Sequence, residues 1–131
     1  MITEDYVNKE IALLLREKGF DEPTLYHYNG DNKEPNHTID YDLIKNSEAK
    51  EFCSAPTLQM VLKWLREVHK IEIWVHYDID KITWWGECNP MYEEDEENSN
   101  TFQSLLNFDY PSKTYEEACE AAIKHCLEHL I

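Results

Sequence analysis

Cys119, His125, Cys126 and His129 fall within eleven residues near the end of a 131-residue chain, and these side chains invite a zinc reading. Spacing argues against it. On a helix Cys119 and Cys126 stand two turns apart, about 10 Å along the axis at about 1.5 Å per residue, whereas thiolates sharing one zinc ion each sit about 2.3 Å from it. Both read as buried thiols acting as small hydrophobes. His125 and His129 are i, i+4 neighbours able to hold a metal, yet the dipole of a last helical turn favours histidine without one. Cys53 immediately precedes the expected cap of a helix, where positive dipole would favour a thiolate, but a nucleophile also needs a base and an orienting group, and none is specified. With only three glycines in the chain, and no phosphate loop, paired-carboxylate or Ser/His/Asp signature, no catalytic residue, cofactor site or metal site is assigned.

Two other groupings carry more. Trp74, Trp84 and Trp85, with His76 and Tyr92, form an aromatic cluster, and Trp74 and His76 share the strand face opposite Ile73 and Val75. Exposed Trp and Tyr anchor protein interfaces, while the same rings would serve as core if the segment from 25 to 53 covered them. The run Glu93-Glu94-Asp95-Glu96-Glu97 lacks the alternating acids and glycine of a calcium loop. It reads as a solvated loop suited to presenting negative charge to a basic protein, which speeds encounter and imitates phosphate.

Regular elements must position these groups. Thr3 is a candidate cap for a first helix over about 4–18, with Val7, Ile11, Leu14 and Leu15 at helical spacing and Lys18-Gly19-Phe20 as its stop. Leu25–Tyr28 reads as a short strand before the turn Asn29-Gly30-Asp31-Asn32, with Thr38–Tyr41 as a hairpin partner. Ser54 caps, and Pro56 opens, a helix over about 55–69 with the stripe Leu58, Val61, Leu62, Leu65, Val68. Ile71, Ile73, Val75 and Tyr77 alternate with Glu72, Trp74, His76 and Asp78, and a turn at Asp80-Lys81 leads into a second strand over 82–88. Phe102 to Tyr110 suggests a third strand. Thr114 to Glu117 fits a capping box for a last helix over 115 to about 130, with Tyr115, Ala118, Cys119, Ala122, Ile123, Cys126 and Leu130 on one stripe. The expected fold is a single α+β domain over 1–131: a small antiparallel sheet of three or more strands with two to three helices on one face.

Charge narrows the partners. Twenty-seven acidic and twelve basic side chains give −15, and removing the six acids of Glu87 to Asn100 still leaves −9, so no basic face is available to displace counterions from a polyphosphate. Nucleic acid is not the expected partner. The longest aliphatic run is Ile11 to Leu15 and the amino terminus is acidic, so neither export nor a membrane span is expected, and the four cysteines read as reduced thiols of a cytoplasmic protein.

The segment Ser54-Ala55-Pro56-Thr57-Leu58-Gln59-Met60 through Lys63-Trp64-Leu65-Arg66-Glu67-Val68-His69, with the ending Thr114-Tyr115-Glu116-Glu117-Ala118 through Ile131, resembles short acidic proteins of Bacteroides-type genomes associated with prophages and mobile elements. That resemblance covers roughly the last 80 residues plus the first helix, and implies no particular activity. The order helix, three strands, helix is also similar to double-stranded-RNA-binding domains and to antitoxin partners of small RNA-targeting toxins, although the final helix begins with acids, Tyr115-Glu116-Glu117, where those RNA-binding domains are basic. The expected function is that of a non-enzymatic accessory domain that binds a protein partner or itself through the aromatic face. The alternatives are an acidic nucleic-acid mimic and a small hydrolase or thiol enzyme using Cys53 or a histidine.

Overall fold

In the computed structural model, residues 1–37, 42–48, 51–91 and 112–131 are described. Their elements run α1 (Lys9–Glu17), β1 (Tyr26–Asn29), β2 (Asn36–His37), β3 (Phe52–Ser54), α2 (Leu58–Val68), β4 (Ile71–Asp78), β5 (Thr83–Pro90) and α3 (Tyr115–His129). The fold is α+β, with three helices and two small antiparallel sheets among the described residues, ordered β2-β1-β3 and β4-β5. The chain divides into two compact units, Met1–Met60 with Ile131, and Val61–Leu130, so the boundary falls inside α2.

In the first unit, α1 begins later than the caps near Thr3 suggest. Residues 5 to 7 are extended, with Val7 N–H donating to Pro56 O, Leu58 N–H to Asp5 O, and Tyr6 bridging Thr57. Asn8 caps instead, its side chain accepting from Ile11 N. The stop is the expected one: Gly19 at φ +89° lets Phe20 N–H reach Leu15 O and Gly19 N–H reach Arg16 O, and Phe20 is buried. β1 pairs with β2 through Tyr26–His37 and with β3 through His27–Ser54, Tyr28–Cys53 and Asn29–Phe52. Because β3 engages Ser54, the cap of α2 is Thr57, whose hydroxyl accepts from Met60 N. Val7, Ile11, Leu15, Phe20, Tyr28 and Cys53 form the core of this unit. The partner strand expected over 38–41 lies outside the described residues.

The second unit is built on the β4–β5 hairpin, paired without a break from Ile71–Pro90 to Asp78–Thr83. The turn between the strands is organised by Asp78, whose carboxylate accepts from the amides of Asp80 and Lys81, and it places the exposed Ile82 at φ +53°. Helix α3 packs on one face of the hairpin with Ala118, Ala122, Ile123, Cys126 and Leu127 buried. Its cap is Thr114, accepting from Glu117 N, while the Glu117 carboxylate reaches the amide of Lys113 rather than that of Thr114. Thr114→Ala is therefore expected to cost about 1 kcal/mol, measured as a lower urea midpoint at unchanged slope. Val68, expected on the buried stripe of α2, is 56% exposed. It stands at the helix end, where Lys70 at φ +57° turns the chain into β4. The third strand expected over 102–110 and the acidic run 93–97 lie outside the described residues, although Ser112 pairs with Trp84 through reciprocal backbone bonds of 2.8 and 2.9 Å.

Candidate protein-binding face

Side chains alternate across a strand, so the hairpin register sorts its residues onto two faces. Ile71, Ile73, Val75 and Tyr77 lie opposite Pro90, Cys88, Gly86 and Trp84 on the face toward α3. Glu72, Trp74, His76 and Asp78 lie opposite Asn89, Glu87, Trp85 and Thr83 on the other. The expected aromatic set is thereby divided. Trp74, His76 and Trp85 are brought together. Trp84 joins the α3 side, with its ring edge-on to Tyr115 at 5.8 Å between centroids and against Tyr77 at 4.9 Å. Tyr92 lies outside the described residues.

On the outer face the His76 ring stacks on Trp85 at 4.2 Å and 20°, and meets the edge of Trp74 at 6.5 Å. Its Nε2 lies 2.9 Å from a carboxylate oxygen of Glu87, the diagonal cross-strand neighbour, so the neutral ring donates there and the protonated ring forms an ion pair. Glu87 faces Trp74 across the ladder and had no place in the aromatic reading. The period-2 pattern places it on this face only once the register is known. Arg66 of α2 reaches both oxygens of Glu72 at 3.4 Å. Trp74 is 51% exposed, and it shares its face with Glu72, two residues back along β4, and Glu87, directly opposite on β5. Stacking and pairing therefore fix His76, Trp85 and Glu87 around an indole left half uncovered.

The thiol and metal candidates resolve differently. Cys53 is buried in the middle of β3, apart from the helix start at Leu58, and burial pushes its thiol above the ordinary range. The dipole argument for a thiolate therefore fails there. Burial, with Glu120 and Glu116 adding to it, pushes the Cys119 thiol up to about 12. His125 and His129 do come together, their rings 4.9 Å apart, but among the described residues no group of three or more His, Cys, Asp or Glu side chains could hold a metal. The first unit contains a concavity of about 180 Å³ lined by Tyr6, Pro23, Tyr26, Leu43, Pro56 and Met60 among others. No local pattern announced it, since its walls come from four separate stretches of chain. Among the described residues no helix is long and apolar enough to cross a membrane. Comparison with protein-family models, with curated proteins and with solved structures found no match.

Proposed function

We propose that this chain is a non-enzymatic binding domain whose hairpin face, centred on Trp74, takes a basic segment of a protein partner. The half-exposed Trp74 indole, on the same face of the hairpin as Glu72 and Glu87, carries the reading. An arginine laid over that indole would gain a cation–π contact, worth about 0.5–1 kcal/mol at an exposed site and more as water is excluded, and its charge would be favoured on a face that also carries the Glu72 and Glu87 carboxylates, which Arg66 and His76 engage in the free chain. A net charge of −15 favours such a partner at long range and opposes pairing with a second copy of the same chain. A cytoplasmic location and an association with prophages or mobile elements belong to the same proposal and rest on sequence alone.

The second reading, mimicry of nucleic acid, is supported by that same charge and requires no particular side chain. Fluorescence titration of the protein with an arginine-rich peptide, and with its glutamate-substituted counterpart as control, separates the two. For a Trp74-centred site, binding persists above roughly 0.3 M salt, where charges more than a Debye length apart are screened, and Trp74→Ala weakens it about tenfold or more. Binding that is indifferent to Trp74→Ala and vanishes with salt would transfer the proposal to charge mimicry.

A further inference from the structure

Where β5 meets α3, a row of small side chains lets strand and helix approach closely. Gly86 faces Ala118 and Ala122, and Cys88, two residues along on the same strand face, faces Ala122 and Cys126. Ala118, Ala122 and Cys126 recur at i, i+4 and i+8, so they form one stripe along the helix. The Cys88 thiol donates to Ala122 O at 3.3 Å, and the Cys126 thiol donates to the Cys88 sulfur at 2.9 Å. Two sulfurs from elements 38 residues apart are thus already in contact, and less than about 1 Å of further approach reaches the roughly 2.05 Å of a disulfide bond. Cys119, two helical turns from Cys126 on α3, and Cys53 on β3 make no sulfur–sulfur contact among the described residues, and serve as internal controls.

We infer that Cys88 and Cys126 are an oxidisable dithiol, a modification site that hydrogen peroxide converts to an intramolecular disulfide joining β5 to α3. Both sulfurs are shielded in the closed fold, at 1% and 0% exposure, so oxidation proceeds through opening of the helix end. Cys126 is one turn from that end, its carbonyl accepting the amide of the cap residue Leu130. Once exposed, the Cys126 thiolate attacks one peroxide oxygen, the O–O bond breaks, and hydroxide leaves with the thiol's proton as water. The sulfenic acid so formed is attacked by the Cys88 thiolate, the S–O bond breaks, and a second water leaves. The two sulfurs are oxidised by two electrons in total, and the peroxide is reduced to two waters. Reduction by a dithiol restores the starting pair.

The test treats the full chain with hydrogen peroxide, caps the remaining thiols under denaturing conditions, and maps the digest by mass spectrometry without reduction. The expected result is a monomer containing a Cys88–Cys126 linked peptide lighter by two hydrogens, with Cys53 and Cys119 recovered capped. Closing a loop of this length also raises the thermal midpoint by roughly 10 °C, reversed by dithiothreitol. Cys119→Ala retains the bridge and the shift; Cys126→Ala loses both. Recovery of Cys88 and Cys126 as capped thiols or as sulfinic acids, or linkage through Cys53 or Cys119, would overturn the inference. The linked peptide is read in the native chain, so that decision stands even if Cys126→Ala does not fold.

Discussion

Gly86→Ala is expected to lower the thermal midpoint by roughly 10 °C, corresponding to about 3 kcal/mol for overpacking at a tight contact in a chain of this size. A methyl added at Gly86 would sit 2.7 Å from the Ala122 Cβ and 2.8 Å from the Ala118 carbonyl oxygen. One of those neighbours is backbone, so relief requires α3 to lift from the hairpin. Lifting the helix loosens the burial of Ala118, Ala122 and Cys126 together. Differential scanning calorimetry on the purified variant measures the effect. A midpoint within a degree or two of the parent would mean that α3 is not held against β5 at this spacing. Gly86 is buried with no positive φ to explain it, so its conservative-looking replacement fails through space alone.

That contact shows where local reading stops. The β4 alternation was legible because Ile71, Ile73, Val75 and Tyr77 take every second position with Glu72, Trp74, His76 and Asp78 between them, whereas β5 shows no such alternation. The end of α1 was legible too, since Gly19 supplies a backbone conformation few residues adopt. The start of α1 was not. Thr3 and Asn8 are both competent caps, and the choice is made by backbone bonds from Asp5 and Val7 to residues more than forty positions away. The same physics moved the cap of α2 from Ser54 to Thr57, because β3 claims Ser54 for pairing with His27. β3 itself, three residues long, was invisible beside its partner at 27 to 29. The aromatic face was half legible. Trp74, His76 and Trp85 were named together, but assigning Trp84 and Glu87 to faces required the register, and adjacent tryptophans on one strand necessarily point opposite ways.

That division yields the second large effect. Trp84→Ala is expected to cost about 3 kcal/mol, because it removes a half-buried indole wedged between Tyr77 and Tyr115 where β5 meets the start of α3. Trp74→Ala, at a position 51% exposed on the outer face, is expected to change stability by no more than about 0.5 kcal/mol. Urea unfolding followed by far-ultraviolet circular dichroism compares the two on one scale. Equal, large losses would show that Trp74 is held by packing, and the proposed face would then lose its anchor. A stable Trp74→Ala protein instead supplies the reagent the binding titration requires, one folded as the parent is and lacking only the indole.

The turn that joins β4 to β5 bears on how the hairpin opens. A β-branched residue in the left-handed region costs on the order of 1–2 kcal/mol, and Ile82 sits there with 74% of its surface in water, so little packing offsets the cost. Asp78 holds the turn through the amides of Asp80 and Lys81, and the eight-pair ladder behind it supplies the rest of what keeps Ile82 in that conformation. The tip is the part with least to lose on opening, and amide exchange there should run ahead of the rest of the ladder.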